Sequence, residues 1–385
     1  MTTIPPAPLD PAEVELALAP FGESRLLPRD AYVSADVLEW ERRHLFADWM
    51  CVGRSSDVPP TGTRAESVGG YGVLLVRDQE GVLRAFENVC RHRGHELLPC
   101  GGTGTAKRAI VCPYHAWSYK PDGSLIGAPN FRDIDEHYDR STLGLTPVRV
   151  HEWHGWIFID RTGTAADFSE HIGGLDEIIS SYDAESLVTA ESHTYDVEAN
   201  WKVIIENYQE CYHCSMIHPE LVKISPPTSG ENYQERSGDW VGGWMDLRAG
   251  METMSLDGRS GGVKMARLDE HEQSHVLYAA VLPNLLISLH PDYVMSHLLV
   301  PLSPGDADHL LVGLPAGGGR DRVLQPGVRR GLLGPHQPSG LGRVRVGAAR
   351  HEGASVRARA AGAQRGRRVP VRHLRGACLS RLIRP

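Results

Sequence analysis

Residues 316–385 contain no aromatic residue and no lysine, and only two acids, Asp321 and Glu352, against 16 arginines. All 26 Trp, Tyr and Phe therefore lie in residues 1–315, which carry 24 basic against 46 acidic residues. The formal charge of -8 is thus a net of -22 over the body and +14 over the tail. Aromatic side chains supply most buried area per residue, so the tail has little with which to build a core.

Other absences narrow the class. No stretch approaches the ~18 uninterrupted apolar residues of a membrane span. The N-terminus, MTTIPPAPLDPAEVELALAPFG, is acidic and Pro-rich where a secretory signal would be basic and then apolar. A soluble cytoplasmic protein is expected. Seven cysteines in a long chain without a signal peptide point away from a disulfide scaffold and toward metal or redox roles. At 385 residues, 41% hydrophobic and 23% charged, with no internal repeat, the chain is neither collagen, coiled coil nor wholly disordered, and its length suits two domains.

SADVLEWERRHLFADW has the spacing of a helix. From about residue 50 to 160 the texture becomes β-rich: YGVLLVRDQEGVLRAFENV reads as two strands around a turn, and HGWIFID as another. After TGTAAD the pattern is mixed. HIGGLDEIISSY and ANWKVIIENYQECYHCSMIH have helical spacing, while HVLYAAVLPNLLISLHPDYVMSHLLVPLSP supplies long strand-like runs. The expectation is an α+β fold, an antiparallel β domain followed by a helix-covered sheet.

Two short segments carry chemistry. Cys90-Arg91-His92 is followed, after 19 intervening residues, by Cys112-Pro113-Tyr114-His115. Two thiolates and two imidazoles form the ligand set of a Rieske [2Fe–2S] centre, in which one iron takes both Cys and the other both His. A structural zinc site is the alternative by ligand type, but zinc sites usually pair C-x₂₋₄-C with H-x₃₋₅-H, whereas each loop here alternates Cys with His.

CRHRGHELLPCGG and CPYHAWSYKPDGSLIGAPN resemble the two cluster loops of the large subunit of Rieske non-haem iron oxygenases, also known as ring-hydroxylating dioxygenases. Respiratory Rieske proteins add a Cys to each loop for a disulfide. CPYHAW has none, which leaves Cys100 as an expected buried thiol.

In NWKVIIENYQECYHCSMIHPE, His213 and His218 are five apart, too far for one ideal helical face unless the helix breaks between them, and Pro219 supports a break. Two imidazoles plus a carboxylate, with open positions for O₂, form the facial triad of mononuclear Fe(II) oxygenases. The segment resembles the same family's E-N-x-x-(D/E)-x-x-H-x₄-H motif. The resemblance implies that His213 and His218 are iron ligands and that Asn207 lies close to the iron. It also implies that Glu210 bridges to a cluster-ligating His of a neighbouring subunit, in a head-to-tail homotrimer.

The CYHC-x₃-HPEL form is most similar to the branch acting on choline, glycine betaine, carnitine and related quaternary ammonium compounds. Cationic substrates favour aromatic faces, and Trp240, Trp244, Tyr233 and Tyr293 are available. With no dinucleotide fingerprint in the chain, electrons would come from a separate NAD(P)H-dependent reductase or ferredoxin. Oxygenation of an aromatic ring and an inactive electron-transfer relic are the alternatives. The implied organisation is an N-terminal segment of the catalytic domain (1–45), the Rieske domain (46–162), the catalytic non-haem iron domain (163–312) and an Arg/Gly-rich tail (313–385).

The family takes its third iron ligand, an Asp, from a string like FWDxxNxxDW near the C-terminus, and residues 313–385 contain none. Synonymous codons for residues 327–349, read from the second base, spell ASDAVFWDLTNRRDWAACESVQ, with the Asp of the DW pair spanning the codons of Gly340 and Leu341. The tail therefore reads as out of frame and disordered. A genuine basic tail for nucleic acid competes, but nothing else in the chain suggests a nucleic-acid module.

Overall fold

The computed structural model describes residues 4–20, 22–130, 139–197, 199–233, 237–260, 262–301 and 306–314. The expectations for the tail beyond Leu314 lie outside these residues. The chain forms two units, one of Met1–Glu41 with Ser169–Pro385, the other of Arg42–Phe168. The second unit is thus inserted into the first in sequence, and the fold is of the expected α+β class.

The Arg42–Phe168 unit is antiparallel β throughout. Its strands are β1 (Met50–Arg54), β2 (Gly62–Val68), β3 (Tyr71–Arg77), β4 (Leu83–Glu87), β5 (Thr103–Thr105), β6 (Ile110–Val111), β7 (Ser118–Tyr119), β8 (Leu125–Gly127), β9 (Pro147–Trp153) and β10 (Trp156–Asp160). Seven pair in the order β1-β10-β9-β4-β3-β2-β5, and β6-β7-β8 form a separate small sheet. A cluster of Leu74, Phe86, Trp117, Tyr119, Leu125 and Leu145 with Cys90 and Cys112 fills the space between them. Packing there is close: Gly123, at φ 86°, would place a Cβ 2.4 Å from the Phe86 ring. Only glycine serves at that turn.

The other unit carries a second seven-stranded antiparallel sheet, formed by β11 (Val188–Val197), β12 (Glu231–Asn232), β13 (Trp240–Asp246), β14 (His275–Val281), β15 (Leu285–Leu289), β16 (Val294–Val300) and β17 (Asp306–Leu314). Their order is β11-β17-β16-β15-β14-β13-β12, a meander closed at one edge by β11. Register fixes the faces. Gly243 pairs with Tyr278, Tyr278 with Ser288, and Ser288 with Met295, so these four side-chain positions share one face. The helices Trp201–Tyr208 and Pro219–Ile224 pack on that face: Tyr208 Oη lies 2.6 Å from Ser288 Oγ, and Ile224 and Leu221 pack with Val276 and Tyr278. Among the described residues no helix is long and apolar enough to cross a membrane.

Candidate functional site

Two loops of the β unit present the Cys/His pairs, one following β4 and the other joining β6 to β7. They have the same conformation. Cys90 N donates to His95 O and Cys112 N to Trp117 O, each at 2.8 Å, and Gly94 N and Ala116 N return to the carbonyls of Cys90 and Cys112 at 3.0 and 3.1 Å. The fourth residue after each cysteine has positive φ, 70° at Gly94 and 57° at Ala116.

The repeated turn points both thiols inward, each 2% exposed, while His115 is exposed and His92 half-buried. The imidazole centroids of His92 and His115 are 4.8 Å apart, and His92 stacks on Trp117 at 4.9 Å and 5°. Tyr119 Oη lies 3.2 Å from Cys90 Sγ and accepts from Arg91 N at 3.1 Å. Burial pushes the Cys90 thiol up, opposed by the Tyr119 hydrogen bond. Burial, then the neighbouring His115 and Arg93, lowers the His92 imidazole. A proton is therefore readily lost from His92, as an imidazole ligand requires.

Two buried thiols beneath two outer imidazoles fit a [2Fe–2S] centre with one iron on Cys90 and Cys112 and the other on His92 and His115. A single zinc would draw all four groups to one point. Among the described residues no three His, Cys, Asp or Glu side chains close on one ion. Cys100, expected as a buried thiol, is exposed. It sits in the turn where Gly102 N bonds Pro99 O at 2.8 Å, outside the core its apolar character had suggested.

The second set is built around the helix Trp201–Tyr208. Asn200 caps it, its side chain accepting from Lys202 N at 3.1 Å. The fully buried Glu41 carboxylate anchors it, accepting from Lys202 Nζ at 2.6 Å and Trp201 Nε1 at 2.9 Å. Tyr32 Oη adds a bond to Glu206 Oε1 at 2.8 Å. The helix stops at Tyr208, a short helix spans Cys214–Ile217, and Pro219 opens the helix that follows His218. The two histidines flank this short helix, His213 at its N-cap and His218 at its non-helical C-cap, so the break falls at His218, just before Pro219, rather than between them, and the rings stand 5.2 Å apart at 76°.

Glu210 Oε1 is 2.5 Å from His213 Nδ1, and Oε2 accepts from Tyr212 N. Burial raises the Glu210 carboxyl, but bonding to His213 and to the backbone outweighs this and holds it below its ordinary value. Asn207 is half-buried on the last turn of the helix. The two imidazoles fit one iron as adjacent ligands, with Glu210 orienting His213 from outside. The described residues supply no third ligand.

Cysteine usage pointed away from a disulfide scaffold, and among the described residues one local disulfide forms, Cys211–Cys214, with Cα atoms 4.9 Å apart. A two-residue loop between them enforces proximity whatever the compartment. The four aromatic candidates also divide. Trp240 and Trp244 alternate with Gly243 and so occupy the sheet face opposite Tyr278, clustered with Tyr233 at 5.6 and 5.0 Å. Tyr293 instead stacks on His290 at 3.9 Å. The face beneath the His213 and His218 segment carries Tyr278, Ser288 and His297, one from each of three strands, a set that cross-strand register assembles and alternation within a strand does not.

Residues 48–138 match the Rieske [2Fe-2S] domain, and residues 184–309 the catalytic domain of the ring hydroxylating alpha subunit. The chain is 40% identical over 196 residues to a carnitine monooxygenase oxygenase subunit of Acinetobacter baumannii, covering 50% of this chain and 52% of that one. It is 30% identical over 289 residues to a glycine betaine monooxygenase oxygenase subunit of Pseudomonas aeruginosa, covering 67% and 66%. The chain thus spans about half the length of the carnitine monooxygenase relatives it matches. Its fold is similar to the crystal structure of a quaternary ammonium Rieske monooxygenase in complex with L-carnitine, with a TM-score of 0.69, 26% identity, and coverage of 84% of this chain and 86% of that one.

Proposed function

Because the chain belongs to the alpha subunits of Rieske ring-hydroxylating oxygenases, we propose that it is a terminal oxygenase component acting on a small quaternary ammonium compound. The observation that carries this reading is the presence in one chain of two ligand sets of the right chemistry. Cys90, Cys112, His92 and His115 converge on two matched loops, and His213 and His218 stand 5.2 Å apart with Glu210 on His213. When bound, a [2Fe–2S] cluster and a ferrous ion would supply one-electron transfer and reductive activation of O₂.

The chain's own groups set the terms. The buried thiols of Cys90 and Cys112 would hold one iron, and the outer imidazoles of His92 and His115 the other, on the side of the loops exposed to an approaching reductase or ferredoxin. Glu210 accepts the Nδ1 proton of His213 and so presents Nε2 as the ligand atom. Each Glu210 oxygen keeps a second lone pair, which leaves room for a hydrogen bond from a cluster-ligating imidazole of a neighbouring subunit in a homotrimer. Insertion of one oxygen atom into an N-methyl group, with two electrons and two protons reducing the other to water, gives a hemiaminal that loses formaldehyde.

The third ligand is the open element. Only Asp321 and Glu352 follow the described residues, and neither lies in a family-like string. A single-base indel near Val312–Gly313 accounts for both the missing Asp and the change in composition. Resequencing the gene tests this, and an intact frame in the natural genome rejects it. For the chain as written we expect two irons without a stoichiometric third, the behaviour of an electron-transfer relic. The frame-restored chain should bind three and, with a reductase, consume O₂ in the presence of betaines. Three irons in the chain as written would overturn the ligand assignment.

A further inference from the structure

Resting on the quaternary ammonium reading above, we infer that His290 is a specificity-determining residue that hydrogen-bonds an oxygen at the non-methyl end of the substrate, a hydroxyl or a carboxylate. The residue follows β15, two positions beyond Ser288. Its ring stands edge-on to Tyr278 at 6.5 Å and 83°, which puts it on the face where the segments flanking His213 and His218 pack.

His290 is 2% exposed, and among the described residues neither ring nitrogen has a hydrogen-bond partner. Asp292 and Tyr293, two and three residues on, are engaged elsewhere. Asp292 Oδ1 accepts from Thr253 Oγ1 at 2.5 Å and Oδ2 from Ser260 Oγ at 2.7 Å, and Tyr293 Oη donates to Met254 O at 2.7 Å. These three bonds pin the Met251–Ser260 segment to this turn without involving the His290 ring.

A buried donor and acceptor left unmade are costly, and such groups persist where a bound molecule completes them. Burial also lowers the His290 imidazole to about 3, so it is neutral at physiological pH, with one N–H to donate and one nitrogen to accept. A neutral ring flanked by tyrosines adds no charge to repel an ammonium group and offers a partner to an oxygen several bonds away. Choline presents a hydroxyl, glycine betaine a carboxylate and carnitine both. Tetramethylammonium presents neither.

The test is calorimetric binding of these four compounds to the full chain carrying its cluster, with His290→Phe and His290→Gln beside the wild type. The wild type should bind the three oxygen-bearing compounds more tightly than tetramethylammonium. H290F should weaken those three by on the order of tenfold or more and leave tetramethylammonium unchanged. H290Q, which keeps a donor and an acceptor, should restore part of the loss. The ligand-free H290F protein should melt higher than the wild type, since an unpaired buried polar group is gone, whereas a purely structural histidine would make it melt lower. Equal weakening of all four compounds, no weakening, or a lower melting point overturns the assignment of His290 while leaving the betaine reading intact. Wild-type protein that binds none of the four overturns both.

Discussion

Removing the buried carboxylate under the Trp201–Tyr208 helix is the most direct test of how the catalytic unit is held together. Glu41 and Lys202 are 0% and 2% exposed, and the carboxylate also accepts from Trp201 Nε1. Glu41→Gln keeps an acceptor for Trp201 but leaves the Lys202 ammonium without a counter-charge, and Lys202→Met strands the carboxylate. Breaking one side of a buried pair costs about 3–5 kcal/mol, so each single variant should lose that much. In E41M/K202M both charges are gone. What remains is chiefly the unpaired Trp201 N–H, about 1–3 kcal/mol, so the double variant should be more stable than the sum of the singles by at least about 2 kcal/mol. Guanidinium unfolding of the full chain, followed by tryptophan fluorescence and by near-ultraviolet dichroism to separate the two units, gives the four values of the cycle. If E41Q and K202M each cost less than about 1 kcal/mol, the pair is not the buried anchor described and the reasoning fails.

Hydrogen bonds to cluster sulfurs raise reduction potentials, so Tyr119→Phe, which removes the Oη contact to Cys90 Sγ, should lower the cluster potential in an EPR-monitored titration; an unchanged potential would show that the bond does not reach a ligating sulfur. Ala116 at φ 57° tolerates glycine but not a β-branched residue, so A116G should retain full cluster iron and A116V lose most of it, and equal iron contents would contradict the turn assignment. The His290 imidazole falls from about 6.5 in the unfolded chain to about 3 in the folded one. Its folded value is the lower, so the unfolded state takes up the proton first, and stability is complete above pH ~6.5 and falls as the pH drops toward 3. Between pH 7 and 5 the wild type should lose up to about 2 kcal/mol that H290F does not, measured as denaturation midpoints; parallel losses would place the titration elsewhere.

Both ligand sets are legible in the sequence because each is local. A tight turn fixes Cys90 relative to His92, and Cys112 relative to His115, within a few residues. Pro219 keeps His218 out of helical backbone for the same reason. The change from an acidic, aromatic body to an arginine-rich tail is also sequence information, and it exposes the missing carboxylate. The aromatic candidates show where such reasoning stops. Alternation puts Trp240 and Trp244 on one face of their own strand, but only cross-strand register sets them opposite Tyr278, and only the docking of the helices decides which face lies under the iron-binding segment. Glu41 and Lys202 are 161 residues apart, and no local pattern pairs them. Nor does any pattern distinguish His290 from the other histidines; its isolation comes from neighbours that satisfy one another. Residue type and short spacing therefore determine what this chain can ligate, whereas long-range packing, which sets burial and leaves a donor unpaired, decides which side chains would meet the substrate.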